Sequence, residues 1–450
     1  MHRILKYLLS LVLVLSCATV PVVHAQDRPS SAVLFENVRI FDGTADRLSG
    51  PSNVLIVGGI IKTISSAPIA NPPDVTLQRI RGDGRTLMPG LIDSHWHTML
   101  VSPSMFELLQ GDLGYLNLLA AVEAQATLLR GFTTVRDLGG PSFALKRAID
   151  EGRLPGPRIY PSGAIITITG GHGDFRGAGD LPRHPGGALT MQETVNAAQL
   201  ADSPDEVRLR VREQLLLGAS QIKLTAGGGV ASPHSPLDAS TFTEEELRAA
   251  VQAAANWGTY VGVHAYTSEA VQRAVAAGVK VIEHGHLMDD ASARLIAEKG
   301  LWLSFQPFVD DGFAPQMPAS SMARLRELFS GTERTVALIK KYKIKMAWGT
   351  DVLFSAANAT RQGVLLAKMQ KWFSAPEVLA MATGRSGELL QLSGRRNPYP
   401  GRLGVVQEGA LADLLLVDGN PLEDLKLVED PGKNFLVIMK DGKVFKNLVR

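Results

Sequence analysis

Between Thr86 and Leu392 short apolar runs alternate with longer Ala-, Leu- and Glu-rich stretches of helical period, which restricts the fold to few architectures. The runs are Leu91 to His95, Thr133 to Asp137, Arg158 to Ala164, Gln221 to Thr225, Tyr260 to His264, Lys280 to Glu283, Trp302 to Phe305 and Lys345 to Trp348. Short apolar runs bounded by turn signals fit strands buried on both faces, as in parallel sheets. Stretches such as Glu206 to Leu217, Thr243 to Trp257 and Ser268 to Ala277 supply the intervening helices. Eight strands separated by helices predict an α/β chain whose centre, residues 86–395, is a parallel (β/α)8 TIM barrel.

The flanks differ. From Ala32 to about Arg85, and again from Ala412 to Asp418 and Leu436 to Val444, the chain is β-rich, with Asp42-Gly43 and Gly58-Gly59 at reversals. Residues 26–85 and 396–450 are therefore expected to combine into one small β-sandwich domain built from both chain ends. Residues 1–25 predict a signal peptide: Met1 to Lys6 is positive, Tyr7 to Val14 is apolar, and Val23-His24-Ala25 suits cleavage. That run is too short to cross a bilayer, so a secreted or periplasmic protein is expected. Cys17, the single cysteine, lies inside the segment, so cleavage after Ala25 leaves no disulfide and no thiolate ligand. Leu15-Ser16-Cys17 also loosely fits a lipoprotein box, which makes lipidation at Cys17 the second reading. A net charge of +2 with no basic run gives no reason to expect a nucleic-acid partner, and no later run is long enough for a membrane span. A homo-oligomer is expected.

Polar residues gather where such a barrel does its chemistry. His95 and His97 end the first strand, two apart, so both imidazoles point to one face and can grip one metal ion. Lys223 lies in the fourth strand between Ile222 and Leu224, where a lysine is costly unless paired or chemically altered. His264 ends the fifth strand, His284 follows the sixth, and Asp351 follows Gly349-Thr350 after the eighth. Taken singly, a strand-end histidine is a rim residue and Asp351 a helix cap. Six such residues at C-terminal strand ends converge on one point.

These residues resemble the amidohydrolase superfamily of metal-dependent hydrolases, through Met88-Pro89-Gly90-Leu91-Ile92-Asp93-Ser94-His95-Trp96-His97 and Gly349-Thr350-Asp351. The resemblance implies His95 and His97 on one metal, His264 and His284 on a second, and a carbamylated Lys223 (N6-carboxylysine) bridging two divalent ions. It implies that Asp351 contacts metal and handles the proton of the attacking water. Two ions sharing a water bring its pKa toward neutrality, and one also polarises the scissile carbonyl. With N and O ligands, zinc is the natural choice, and manganese or cobalt suit the same shell.

Gly131-Phe132-Thr133-Thr134-Val135-Arg136-Asp137, Thr169-Gly170-Gly171-His172-Gly173 and His264-Ala265-Tyr266 resemble the imidazolonepropionase-related group, and more closely its lysine-containing dipeptidase branch. That branch implies small-molecule substrates, either Xaa-Pro dipeptides or N-acyl amino acids, ochratoxin-like amides included. His172 and Tyr266 are the expected substrate-binding residues, as donors to an α-carboxylate, with backbone N–H groups of Gly227-Gly228-Gly229 beside them. Arg136 and Asp137 are expected to form a buried ion pair that supports the site rather than touching substrate. His234 and His286 are expected in loops or at the rim, His286 close enough to support His284. The alternatives are a cyclic amide or lactone hydrolase on the same site, or a non-catalytic periplasmic binding protein.

Overall fold

Seven strands form one parallel sheet in the order Ala198–Leu200, Ile165–Thr167, Ile222–Thr225, Val261–Thr267, Val281–Leu287, Trp302–Phe305 and Lys345–Trp348. Leu91–Trp96, Phe132–Asp137 and Arg158–Pro161 form a second parallel sheet. The computed structural model describes residues 31–449 apart from 74, 184–186, 233 and 313–316, so the expected signal peptide, its Ala25 cleavage site and Cys17 lie outside the described residues. Backbone hydrogen bonds connect the two sheets at both margins: Asp351 N donates to His95 O and Ser220 N to Pro161 O, each at 2.8 Å.

The strands of these two sheets are buried over most of their length; every residue of Leu91–Trp96, Phe132–Asp137 and Ile222–Thr225 is buried, and exposure is confined to strand ends such as Lys345. Two details depart from the sequence pattern. The expected strand from Arg158 to Ala164 is broken, because Gly163 adopts φ +73° and the chain restarts at Ile165. Val261–Thr267 and Val281–Leu287 run beyond their apolar cores, carrying histidines and a tyrosine inside the sheet.

The helices begin and end where local chemistry directs. Ser203 caps Pro204–Leu217, which has Pro at its first turn and stops at Gly218, φ +102°. Thr243 and Glu246 form a capping box on Glu244–Asn256. Thr267 caps Ser268–Ala277, which immediately follows the strand bearing His264.

Both ends of the described chain enter one connected sheet. Thr86–Pro89 pairs with Ser31–Ile40 on one side and antiparallel with Leu414–Val417 on the other. Val33, Phe35, Leu87, Leu414, Leu416 and Met439 share a hydrophobic cluster of their own. Arg158 ties this layer to the parallel strands through Asp413, at 2.9 and 3.1 Å, and Asp441, at 2.8 Å.

Candidate active site

The polar residues at the strand ends meet around one carboxylate. Asp351 Oδ1 lies 3.2 Å from His95 Nε2 and 3.2 Å from His97 Nε2, and Asp351 Oδ2 lies 3.9 Å from His284 Nε2. Lys223 Nζ is 3.4 Å from His95 Nε2. The His264 and His284 rings stand 4.6 Å apart, edge to face. All six expected ligands thus fall in one connected cluster of side chains. Among the described residues, the His95, His97 and Asp351 donor atoms lie within 4.8 Å of one another, a spacing suited to a single cation. His264 differs: its Nε2 contacts the Gly228 carbonyl at 2.8 Å.

The local backbone is bent to aim these groups. His284 has φ +81° and Asp351 φ +56°, left-handed conformations that disfavour a side chain by about 1–3 kcal/mol each. Ala265 pairs with His284 and Thr267 with Leu287, so Tyr266 stands opposite two residues, Gly285 and His286, and the bulge lies on Val281–Leu287. Gly349 packs against the His95 backbone so closely that a Cβ would overlap it, which brings the Asp351 segment onto the first strand. Asp93 reinforces that junction, accepting from Thr350 Oγ1 at 2.8 Å and Gln362 Nε2 at 3.0 Å.

Three side chains that the sequence reading passed over hold the site in place. Glu283 Oε2 accepts from His95 Nδ1 at 3.1 Å, and Arg136 Nη2 donates to Glu283 Oε1 at 2.5 Å. Adjacent strand residues face opposite sides, so Arg136 does not pair with Asp137 as expected. Asp137 instead accepts from Thr98 N at 2.7 Å and Ser142 Oγ at 2.6 Å. Gln306, just past the seventh of the expected strands, accepts from His284 Nδ1 at 2.7 Å through Oε1. That contact puts the His284 proton on Nδ1 and leaves Nε2, a buried atom with no hydrogen-bond partner among the described residues, free to bind a cation. A search extended to every strand end would have found Gln306. Arg324, on the helix Ala319–Tyr342, donates to the carbonyls of Gly229, Ser232 and Ser235 and secures the glycine loop.

Electrostatics follow burial. Desolvation pushes His97 down to about 4 and His264 and His284 well below the usual imidazole range, so all three are neutral donors at neutral pH. Burial likewise lowers the Lys223 amine. Burial opposes ionisation of Asp351, but the histidine contacts outweigh it and hold the carboxyl well below its usual value.

His172 and Tyr266 both line the cavity that opens onto Asp351. Their rings pack on His264 at centroid distances of 4.3 and 4.6 Å. His286, expected in a loop or at the rim, is fully buried on Val281–Leu287 and stacks on Phe305 at 4.5 Å, because the strand extends past His284. His234 is exposed in a turn.

Buried neutral histidines, a low-lying carboxylate and an alternating parallel architecture are the marks of a metal-dependent hydrolase. The amidohydrolase family model matches residues 86–445, and the chain belongs to that family. Ochratoxinase of Aspergillus niger is 30% identical over 382 residues, covering 80% of this chain and 75% of that protein. A solved amidohydrolase superposes with a TM-score of 0.84 at 36% identity, covering 93% of this chain and 100% of that one. A prolidase solved with N-methylphosphonate-L-proline gives a TM-score of 0.84 at 33% identity, with the same coverage.

Proposed function

We propose that this enzyme is a binuclear dipeptidase or N-acyl amino acid amidohydrolase, the three strands of the smaller parallel sheet and the five from Ile222–Thr225 to Lys345–Trp348 forming the arcs of one (β/α)8 barrel beside a β-sandwich. The observation that carries the reading is Asp351, within 3.2 Å of both His95 and His97, with the unpartnered His284 Nε2 on its other oxygen at 3.9 Å. Buried, neutral nitrogen donors around an ionised carboxylate fit divalent cations, zinc first. His95 and His97 would hold one ion and His264 and His284 the other, with Asp351 in contact and a carboxylated Lys223 between them. When bound, such ions polarise a carbonyl and acidify water.

The chain's own groups do the rest. Burial lowers the Lys223 amine and so favours the neutral form, the one that takes up carbon dioxide. Asp351 accepts a proton from the attacking water and returns it to the leaving nitrogen. Glu283 and Gln306 orient His95 and His284 from behind. His172 and Tyr266 bind substrate at the cavity wall. Support for amide substrates comes from the similarity to a prolidase and to ochratoxinase. Export through the N-terminal segment and assembly into a homo-oligomer belong to the same proposal.

The test is chelation followed by metal restoration, with Xaa-Pro dipeptides and acyl-phenylalanine as substrates. Activity should vanish and return with metal content. Hydrolysis indifferent to chelation would refute the proposal.

A further inference from the structure

The turn that follows the strand Ile222–Thr225 lies against two imidazoles of the site. Gly228 O is 2.8 Å from His264 Nε2. A carbonyl only accepts, so that nitrogen carries the His264 proton and Nδ1 keeps the lone pair that can bind a cation. Gly229 packs on His172 so closely that a Cβ would overlap the ring. Ser232 is fully buried and reaches the same ring, its Oγ 3.0 Å from His172 Nδ1.

The Ser232 hydroxyl has one proton to donate. Its oxygen already accepts from Gly173 N at 2.8 Å, and among the described residues His172 Nδ1 is the acceptor for that proton. Burial keeps the His172 ring neutral, so the ring has a single N–H. A lone pair on Nδ1 puts that N–H at Nε2, on a ring that lines the cavity over Asp351. The opposite tautomer would leave a buried hydroxyl proton without an acceptor, which is costly. One cation holds the turn in this register. Arg324 Nη1 donates to Gly229 O at 3.0 Å, Ser232 O at 3.0 Å and Ser235 O at 2.7 Å. Its Nη2 donates to Ser321 Oγ at 3.3 Å, so one planar guanidinium ties the turn to the helix Ala319–Tyr342.

We propose that Ser232 and Arg324 are positioning residues. Ser232 sets the His172 proton on Nε2 and so makes the ring a hydrogen-bond donor to a substrate oxygen. Arg324 holds the turn from which Ser232 and the Gly228 carbonyl act, and so serves His172 and His264 together. The kinetic part of this inference rests on the amide-hydrolase reading above; the proton positions and the metal content are read without substrate.

The zinc-loaded enzyme with isotope-labelled histidine nitrogens is studied by NMR, and the His172 signals are identified by their loss in His172→Gln. The parent should show His172 in its Nε2–H form. Ser232→Ala should replace that form by a mixture of both tautomers and keep its full zinc content. Its kcat/KM for an Xaa-Pro dipeptide should fall at least about tenfold, since a misplaced proton removes the donor. Ser232→Thr, which keeps the hydroxyl, should restore the tautomer and most of the rate. Arg324→Met should lose rate and also zinc, by up to about one equivalent, because His264 loses the acceptor that orients it. His172 in the Nδ1–H form in the parent overturns the inference. So does Ser232→Ala with an unchanged tautomer or an unchanged rate, and so does Arg324→Met with full zinc content and full rate. Should a variant not fold, the parent spectrum decides. A parent that holds zinc and shows Nε2–H on His172 but cleaves no amide overturns the functional reading and leaves the proton assignment standing.

Discussion

Replacing Arg136 with methionine should separate stability from metal binding. The guanidinium is fully buried, donating to Glu283 at 2.5 Å, Ser94 O at 2.8 Å and Tyr260 Oη at 2.9 Å. Glu283 is itself fully buried; Arg136 and the His95 contact overcome the desolvation that would otherwise neutralise it. Arg136→Met leaves that carboxylate without its cation, and breaking a buried pair from one side destabilises by about 3–5 kcal/mol. Folding stabilities run to about 5–15 kcal/mol, so the loss is a large share of the total. Removing both charges is different: Arg136→Met with Glu283→Met restores an apolar interior and should return to within about 2 kcal/mol of the parent. Guanidinium unfolding of chelated protein measures both values, at constant slope. Metal analysis after reloading supplies the second readout. The double variant should recover stability yet bind less metal, since His95 has lost the acceptor that orients its ring. A loss below about 1 kcal/mol in Arg136→Met, or a double variant no more stable than the single one, would refute the reasoning.

Other substitutions probe single contacts. Gln306→Leu should lower the bound metal by up to one equivalent and Gln306→Glu should retain it, since glutamate keeps an acceptor for His284 Nδ1; elemental analysis of the purified variants decides. Lys223→Ala should lose metal and activity together, whereas Asp351→Asn, which keeps an oxygen donor, should hold most of its metal and lose turnover, as paired metal and rate measurements would show. Gly349→Ala should abolish activity and destabilise by at least about 1–3 kcal/mol, because its methyl group overlaps the His95 backbone, an effect read in thermal unfolding.

The cluster around Asp351 was legible because it follows local rules. His95 and His97 sit two apart on an apolar run, and that alternation puts both on one face whatever surrounds the strand. Lys223 stood out because charge between Ile222 and Leu224 conflicts with burial. The supporting groups follow no such rule. Glu283 reads as an ordinary polar residue before His284, and Gln306 as a loop residue before Pro307; each acquires its role from a strand distant in sequence. Arg136 does form the expected buried ion pair behind the site, but with Glu283 in place of Asp137, since proximity along the chain is not proximity across a sheet. His286 was misread because the apolar stretch ends before the strand does, and buried stacking on Phe305 and Phe308 replaces the missing aliphatic signal.

Period and composition along the chain thus determined the alternating α/β architecture, the strand ends where polar residues gather and the predominance of histidine among them. These are local properties, set by which backbone periodicity buries apolar side chains. Tertiary structure decided which carboxylate orients His95, which amide holds the proton of His284, and which hydroxyl stands behind His172. Those depend on side chains from separate strands and loops meeting in a common low-dielectric space, where each unpaired polar group is costly and partners are chosen by geometry.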